Sequence, residues 1–274
     1  MDPKTYKMRA VCYEGESFVF PETIYGICGN KEQTGLLYVL AGLFNSSLYA
    51  YYNFMTGASM GIDRRQRFVK DVLRFPFPEK NLKKIEECSR ELHQLKKQIM
   101  IPEEMIEKKQ SELDEIVADA FGMKDNVYFK YAIEVMIPMI AGNTDIGIER
   151  TEENEMYGRY AKIFYDYFAD IYEEQKKFVH IKLYTNLKGG FAALELMLTD
   201  NSCGEKIEVD ESECAAEIYQ VFYAKYNDVF YKRLDHYWFE ENRFFIVKAA
   251  GKERWHEANA YMDIAEVTAR ILSE

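Results

Sequence analysis

Two short segments near the amino end are dense in β-branched and aromatic residues. They are RAVCYE at 9–14 and SFVFPETIYGIC at 17–28, and they are interrupted by Gly15, Pro21 and Gly26. Apolar runs of this composition, bounded by glycine and proline, are typical of strands. The pattern therefore predicts short strands before residue 30.

The next segment, from about Thr34 to Phe54, carries apolar residues on nearly every side of a helix. This predicts a helix that is largely buried. Three polar residues, Asn45, Ser46 and Ser47, interrupt it. Polar side chains in such positions either bond back to the backbone or face a partner.

Residues 57–79 form the most basic stretch of the chain, with Arg64, Arg65, Arg67, Lys70 and Arg74. Two glycines at 57 and 61 permit tight turns at its start. Two prolines at 76 and 78 force an extended exit. The segment is therefore predicted to be a loop held between ordered elements.

Residues 80–121 repeat apolar side chains every seven residues in two arms. The repeated positions are Ile85, Leu92 and Ile99 with Cys88 and Leu95 in the first arm, and Ile106, Leu113 and Ala120 in the second. About three heptads per arm predict a short antiparallel coiled coil, that is, a helical hairpin. Pro102 suits the start of the second helix, and Phe121-Gly122 suits its end.

Beyond a polar, glycine-containing stretch at 141–154, the pattern alternates between helix and strand. A helix is predicted from about Met156 to Ile171, strands over 178–186 and 191–200, a helix over 211–226, strands over 229–239 and 243–249, and a closing helix from about His256 to Leu272. This order predicts a small α+β domain over 150–274 whose role the pattern does not assign. The whole chain is predicted to be α+β, with an amino-terminal domain over 1–79 and a helical spacer over 80–140.

The net charge of −11 is divided unevenly along the chain. Residues 1–100 carry 15 Lys+Arg against 11 Asp+Glu, and residues 101–274 carry 20 against 35. Any nucleic-acid contact is therefore expected in the first hundred residues, because the acidic remainder repels phosphate. No apolar run approaches the roughly 18 residues that a membrane span needs, and a cytoplasmic location without membrane contact is expected.

The segment at 36–79, LLYVLAGLFNSSLYAYYNFMTGASMGIDRRQRFVKDVLRFPFPE, resembles the target-recognition region of bacterial adenine-N6 DNA methylases, including fused restriction-modification enzymes. In that family a helix ends in a leucine–asparagine–serine turn, and a small-residue loop leads to a leucine–proline–proline exit. LFNS at 43–46 and LRFPFP at 73–78 occupy those places, although Phe44 separates the leucine from the asparagine. ETIYGICG and the hairpin ending LDEIVADAFGM extend the resemblance over about residues 15–135.

The catalytic parts of that family have no counterpart here. The sequence has no Asn/Asp-Pro-Pro-aromatic segment to clamp a flipped adenine and no FxGxG-like loop for the methyl donor. The chain is therefore expected to be non-catalytic and to bind no cofactor. No metal is expected either, because His180, His236 and His256 with Asp263 and Glu266 fit no recognised ligand spacing.

The resemblance implies DNA contacts in and before the basic loop, from Arg64, Arg65, Gln66, Arg67 and Lys70, with Asn45 and Ser46. Arginine can fork onto guanine or phosphate, and glutamine can pair with an adenine edge. The competing interpretations are a solvated basic turn paired with Asp63 and Asp71, and a satisfied turn at Asn45-Ser46. Subunit docking is expected along the hairpin, at Ile85, Leu92, Leu95, Ile99, Ile106 and Leu113, unless these residues belong to one core.

Together these features predict a DNA-binding specificity module of a restriction-modification or phage-defence methylase system. Its expected partners are double-stranded DNA and a separate methylase or restriction subunit, or a second copy bound through the hairpin. The alternative is a protein-interaction scaffold that no longer binds DNA. A catalytic protein with an unfamiliar site is a third hypothesis, which no motif supports.

Overall fold

The computed structural model describes residues 7–15, 19, 24–56, 69–98, 100–140, 150–188, 190–201, 206–212, 218 and 235–273. The chain divides into two compact units, residues 1–144 and residues 145–274. Helices occur in both, and a five-stranded sheet lies in the second, so the predicted α+β class is confirmed. Among the described residues, no helix combines the length and apolar character that crossing a membrane requires.

The first unit is helical in its described part. After a short 3-10 turn at Lys31–Gln33 come α1 (Thr34–Asn45), α2 (Ser47–Thr56), α3 (Val69–Val72), α4 (Leu82–Lys96), α5 (Glu103–Ala120), α6 (Val127–Tyr131), a π-helical turn (Ala132–Met136) and α7 (Ile137–Ile140). One core joins α1, α2, α4 and α5, and its most buried members include Val39, Leu43, Leu48, Ile85, Cys88, Leu92, Leu113 and Val117. The helical hairpin therefore shares a core with the helices that precede it.

The predicted short strands near the amino end are wrong where the structure describes them. No strand is found among the described residues before Phe178. A strand needs a neighbouring strand to satisfy its backbone, and here the Asn45 side chain takes the N–H and C=O groups of Ala10 instead. Val11, Tyr13 and Ile24 are more than half exposed, so their apolar character does not reflect a buried sheet face.

The predicted interruption of the first helix is confirmed. α1 ends at Asn45, Ser46 adopts an extended conformation, and α2 begins at Ser47. Gly42 allows α1 to approach α4 closely, because an added Cβ would lie 3.0 Å from Ile85 Cγ2 and 3.2 Å from Ser89 Cβ. The two helices of the hairpin also lie where the heptads predict them.

The end of α5 follows the Schellman pattern of hydrogen bonds. Gly122 has a φ of 68°, its N–H donates to Asp119, and the N–H of Met123 donates to Ala118 at 2.8 Å. Both bonds satisfy carbonyls that the last turn of a helix leaves open. The helix end predicted from Phe121-Gly122 is therefore confirmed.

The second unit packs helices against one face of a sheet. Its elements are α8 (Arg150–Glu173), β1 (Phe178–Leu187), β2 (Phe191–Thr199), β3 (Ile207–Asp210), β4 (His236–Glu240), β5 (Arg243–Ala249), α9 (Lys252–Trp255) and α10 (Glu257–Ser273). The strand order is β3-β1-β2-β5-β4, and only β3, against β1, pairs in parallel among these strands. The predicted helix over 211–226 lies almost wholly outside the described residues.

Both tryptophans anchor the second unit. Trp255 is fully buried, with its ring 4.8 Å from that of Tyr160 and 5.3 Å from that of Tyr157. Trp238 stacks on Phe245 at 4.4 Å on the opposite face of the sheet. These burials place both rings in the interior and not on a base-stacking surface.

Candidate nucleic-acid interface

The exit of the basic segment is fixed to the core of the first unit. The Phe75 ring packs against the rings of Tyr49, Tyr52 and Phe121, with centroids 5.0, 5.1 and 5.5 Å away. The Tyr52 hydroxyl also donates to the backbone carbonyl of Arg74 at 3.1 Å. The backbone at residues 74–75 is therefore held in place, while the Arg74 side chain is exposed.

Five exposed cations follow one another from α3 to the start of α4. They are Lys70, Arg74, Lys80, Lys83 and Lys84, and we call them the basic track. In the described part of the chain, no carboxylate pairs with Arg74, Lys80, Lys83 or Lys84. Residues 61–85 together hold eight Lys+Arg against three Asp+Glu. Arg74, Lys80, Lys83 and Lys84 therefore give this surface positive charge that no described carboxylate pairs with.

Other cations of the first unit are neutralised within the chain. Lys7 pairs with Asp114, Arg90 with Glu86, Lys124 with Glu115, and Lys109 with both Glu91 and Glu112. Pairing of this kind is the competing interpretation for the basic segment. Arg74, Lys80, Lys83 and Lys84 differ from these cations, because no described carboxylate pairs with them.

The start of α4 adds to the positive potential of the basic track. Lys83 and Lys84 occupy its first turn, which contains no acidic residue, and the side chain of Asn81 bonds to Asp119 instead of capping the helix. The amino end of a helix carries partial positive charge, so cations placed there are unfavourable and an anion is favourable. A phosphate near Lys80, Lys83 and Lys84 would relieve this repulsion.

Only some of the predicted DNA contacts fall on described residues. Arg64, Arg65, Gln66 and Arg67 lie outside them. Lys70 lies in α3, and its residue is exposed.

Asn45 and Ser46 have the contacts of a satisfied turn. Asn45 bonds to both backbone groups of Ala10 at 2.7 and 2.9 Å. Ser46 is completely buried, donates to the Leu43 carbonyl at 2.6 Å and accepts from the Tyr49 N–H at 3.2 Å. Ser46 has no exposed surface to offer DNA, so its predicted contact is corrected to a structural role. The two bonds of the half-buried Asn45 fit the competing interpretation of a satisfied turn.

The residues expected to dock a subunit are largely covered by the chain itself. Ile85, Leu92 and Leu113 are at most 3% exposed and pack in the core that α1 shares. Leu95 and Ile106 are half-buried, and Ile99 lies outside the described residues. The first three fit the interpretation of one core, so their predicted use as a docking surface is corrected. Near the tip of the hairpin, Met100 is 96% exposed and Met105 is 52% exposed.

Sequence reasoning missed the role of Asp114, which organises the junction between α1 and α2. Its carboxylate accepts from the Ser47 N–H at 2.8 Å and from the Ser47 hydroxyl at 2.7 Å. It also accepts from Lys7 at 2.6 Å. A carboxylate from α5 thus caps the amino end of α2. The partners are 67 and 107 residues away, so no local pattern indicated this contact.

A buried polar cluster in the second unit is the other arrangement that could suggest chemistry. The ammonium of Lys248 bonds to the Asp263 carboxylate, which also accepts from Tyr160 at 2.5 Å and from Tyr237 at 2.6 Å. Burial lowers the pKa of Lys248 against the opposing pull of Asp263, and burial together with this carboxylate raises the pKa of both tyrosines. Lys248 is 1% and Asp263 5% exposed, so the cluster is enclosed in the interior, where it joins β4 and β5 to α8 and α10.

The histidines and acids considered for a metal or acid–base site are dispersed. His256 Nδ1 accepts from the Ala258 N–H, and Glu266 pairs with Arg270. Over the described residues, no three His, Cys, Asp or Glu side chains come close enough to hold a metal ion. Comparisons with known protein families, curated proteins and solved structures find no match to this chain.

Proposed function

We propose that this chain is the non-catalytic DNA-recognition module of a restriction-modification or phage-defence methylase system. The observation that carries the proposal is the basic track, in which Arg74, Lys80, Lys83 and Lys84 are exposed and lack a described carboxylate partner. The likeness of residues 36–79 to methylase recognition regions supports the choice of double-stranded DNA. A separate methylase or restriction subunit would supply the catalysis.

In this proposal the basic track positions the duplex and the preceding loop reads it. Cations on a fixed backbone contact phosphates, which sets orientation without reading sequence. Arg64, Arg65, Gln66 and Arg67 then reach base edges in the major groove, where arginine and glutamine make paired hydrogen bonds. The packing of Phe75 against Tyr49 and Tyr52 fixes the chain downstream of these four residues.

A protein-interaction scaffold is the second candidate, and one observation favours it. Leu73 is 74% exposed and Phe77 is 48% exposed, and both lie between cations of the basic track. Exposed apolar side chains of this size are common where a protein partner binds. On this view the track steers an acidic protein and not DNA.

Binding of a labelled duplex separates the two candidates. We expect affinity to fall steeply between about 50 and 200 mM salt, because each phosphate contact contributes about −0.9 to the slope of log K against log salt. The variant Arg74→Ala/Lys83→Ala/Lys84→Ala should flatten that slope by up to about 2.7. The control Lys31→Ala/Lys108→Ala/Lys130→Ala removes the same charge outside the track and should leave the slope nearly unchanged. Absence of binding even at low salt, or equal effects of the two variants, would contradict the proposal and favour the scaffold.

A further inference from the structure

A cavity opens at one end of the second unit, where the turn between β4 and β5 meets the carboxyl ends of α8 and α10. Its volume is about 180 Å³. An apolar cavity of about 150 Å³ holds a benzene molecule, so this one can receive a single aliphatic or aromatic side chain. Its apolar walls come from both helices and from β2, β4 and β5, and they consist of Tyr172, Leu196, Leu198, Phe239, Phe244 and Ile271.

Contacts among aromatic rings hold the walls of the cavity in place. The Phe244 ring lies 5.8 Å from that of Phe239 and 5.4 Å from that of Phe168. The Tyr172 ring stacks in turn on Phe168, with 6.4 Å between the centroids. Tyr172 and Phe239 are nevertheless only half-buried, so their rings are accessible from the solvent side. The cavity is therefore preformed and open, as is usual for a binding pocket.

Exposed apolar side chains continue from the cavity across α8 and α10. The Thr268 hydroxyl lies 3.5 Å from the Tyr167 hydroxyl, so the two helices meet on their outer side. Tyr167 is 38% exposed, and Ile171, one turn further along α8, is 43% exposed. Ile271, which also lines the cavity, is 38% exposed. We call the cavity, Tyr167 and Ile171 the apolar site; contiguous apolar surface of this kind is common where a partner binds.

The charge around the apolar site is negative. Exposed carboxylates that pair with no cation in the described part of the chain lie on the cavity, along α8 and just after it: Glu241, Asp166, Asp170, Glu173 and Glu174. Arg243 also lines the cavity, but it is already bonded to Glu240 at 2.5 Å and to Glu195 at 3.1 Å.

The end of α8 strengthens this negative potential. Its last turn contains no basic residue. Carboxylates at the carboxyl end of a helix oppose the partial negative charge there, whereas a cation is favourable. Residues 145–274 as a whole hold 26 Asp+Glu against 16 Lys+Arg. A positively charged ligand is therefore the one that this surface favours.

We propose that the apolar site binds a basic segment of a partner protein, with one apolar side chain of that segment in the cavity and its lysine or arginine side chains against Glu241 and the carboxylates along α8. This inference goes beyond the proposed function and does not depend on DNA binding by the basic track. The unpaired carboxylates disfavour the other occupants. Two copies of the chain meeting through this face would bring like charges together, and nucleic acid or an anionic lipid surface would be repelled.

The test is a selection of short random peptides, displayed on phage, against the whole chain, followed by fluorescence anisotropy with the enriched peptides. We expect enriched sequences that combine lysine or arginine with leucine, phenylalanine or methionine. Ile271→Lys should weaken their binding about 10-fold or more, because it removes an apolar wall and repels a basic peptide. Glu173→Gln/Glu241→Gln should weaken it about 2- to 25-fold, since each exposed ion pair contributes about 1.4- to 5-fold.

The matched controls lie on α5 in the first unit. Met105→Lys makes the same kind of change at an exposed apolar residue, and Glu104→Gln/Glu107→Gln removes two exposed carboxylates. Both should leave peptide affinity unchanged. Tryptophan fluorescence checks that the second unit is folded in each variant, because Trp238 and Trp255 both lie there. If Ile271→Lys unfolds, Ile271→Ser replaces it.

Three outcomes overturn the inference. The first is that no peptide is enriched, or that the enriched peptides lack basic residues. The second is that the site variants and the control variants bind the enriched peptides equally well, because the peptides then bind elsewhere. The third is that the chain alone sediments as a dimer which Ile271→Lys converts to a monomer, because a second copy then occupies the site. None of these results bears on duplex binding, so the proposed function is tested separately.

Discussion

Replacing Asp114 tests the junction that holds the amino-terminal segment, α2 and α5 together. In Asp114→Ala, α2 loses its cap and Lys7 loses its carboxylate. Loss of a helix cap costs about 1 kcal/mol and up to about 2. A partly exposed ion pair adds about 1 kcal/mol at most. We therefore expect the free energy of unfolding of the first unit to fall by about 1 to 3 kcal/mol.

Asp114→Asn is the informative companion variant. Its amide oxygen can still accept from the Ser47 N–H, so the expected cost is about 1 kcal/mol. Both tryptophans, Trp238 and Trp255, lie in the second unit, so tryptophan fluorescence reports that unit, whereas circular dichroism also follows the helices of the first. In urea titrations followed by both signals, the loss of stability of the first unit should appear in the dichroism transition.

The same substitution makes an opposite prediction for DNA. Asp114→Asn removes a negative charge from the unit that carries the basic track, so duplex affinity at low salt should rise although stability falls. A loss below about 0.5 kcal/mol for Asp114→Ala, which is the usual range for an ordinary surface change, would refute the capping argument. Equal losses for Ala and Asn would refute it too, and a fall in the affinity of the folded Asn variant would refute the electrostatic argument.

Four further predictions concern folding and packing. Lys248→Met should cost about 3 to 5 kcal/mol, because it breaks a buried pair. In Asp263→Ala stability should rise as pH rises toward about 10.4, since the lowered pKa of Lys248 means that the folded state binds its proton less tightly than the unfolded chain does. Urea midpoints from tryptophan fluorescence at pH 7 and pH 9 measure both effects, and a flat pH response would contradict the second. Asn45→Ala should speed amide exchange over residues 7–15 without changing the salt slope of DNA binding; unchanged exchange would show that the segment is held otherwise. Gly42→Ala should lower the free energy of unfolding by about 1 to 3 kcal/mol, because the added Cβ would push α1 away from α4. A higher melting temperature for this variant would show that the Cβ has open space.

The sequence pattern predicted those elements whose periodicity depends on burial of one face. The heptads of the hairpin and the alternation in β1 arise because their apolar faces meet the core. β2 and β5 are instead buried on both faces over five consecutive residues. The amino-terminal segment failed as a strand because its apolar residues are exposed, and Asn45, not a neighbouring strand, satisfies the backbone of Ala10. β3 was missed because only four residues pair there, and they include two acids.

Only part of the candidate site could be predicted from the sequence, because some of its residues fall in a different predicted element. A run of cations in 57–79 is visible in sequence, but Lys80, Lys83 and Lys84 belong to the hairpin by their spacing and extend the same surface in the structure. Burial also removed Ser46 from the predicted contacts, although its polar character suggested exposure.

The most direct measurement is the labelling of each lysine by an amine-reactive reagent, with and without duplex DNA, read by mass spectrometry. We predict that DNA protects Lys80, Lys83 and Lys84, and that the exposed Lys31 and Lys108 label equally in both states. Unchanged labelling at every lysine, or protection of Lys31 and Lys108 to the same degree, would contradict the claim that a duplex lies along the basic track.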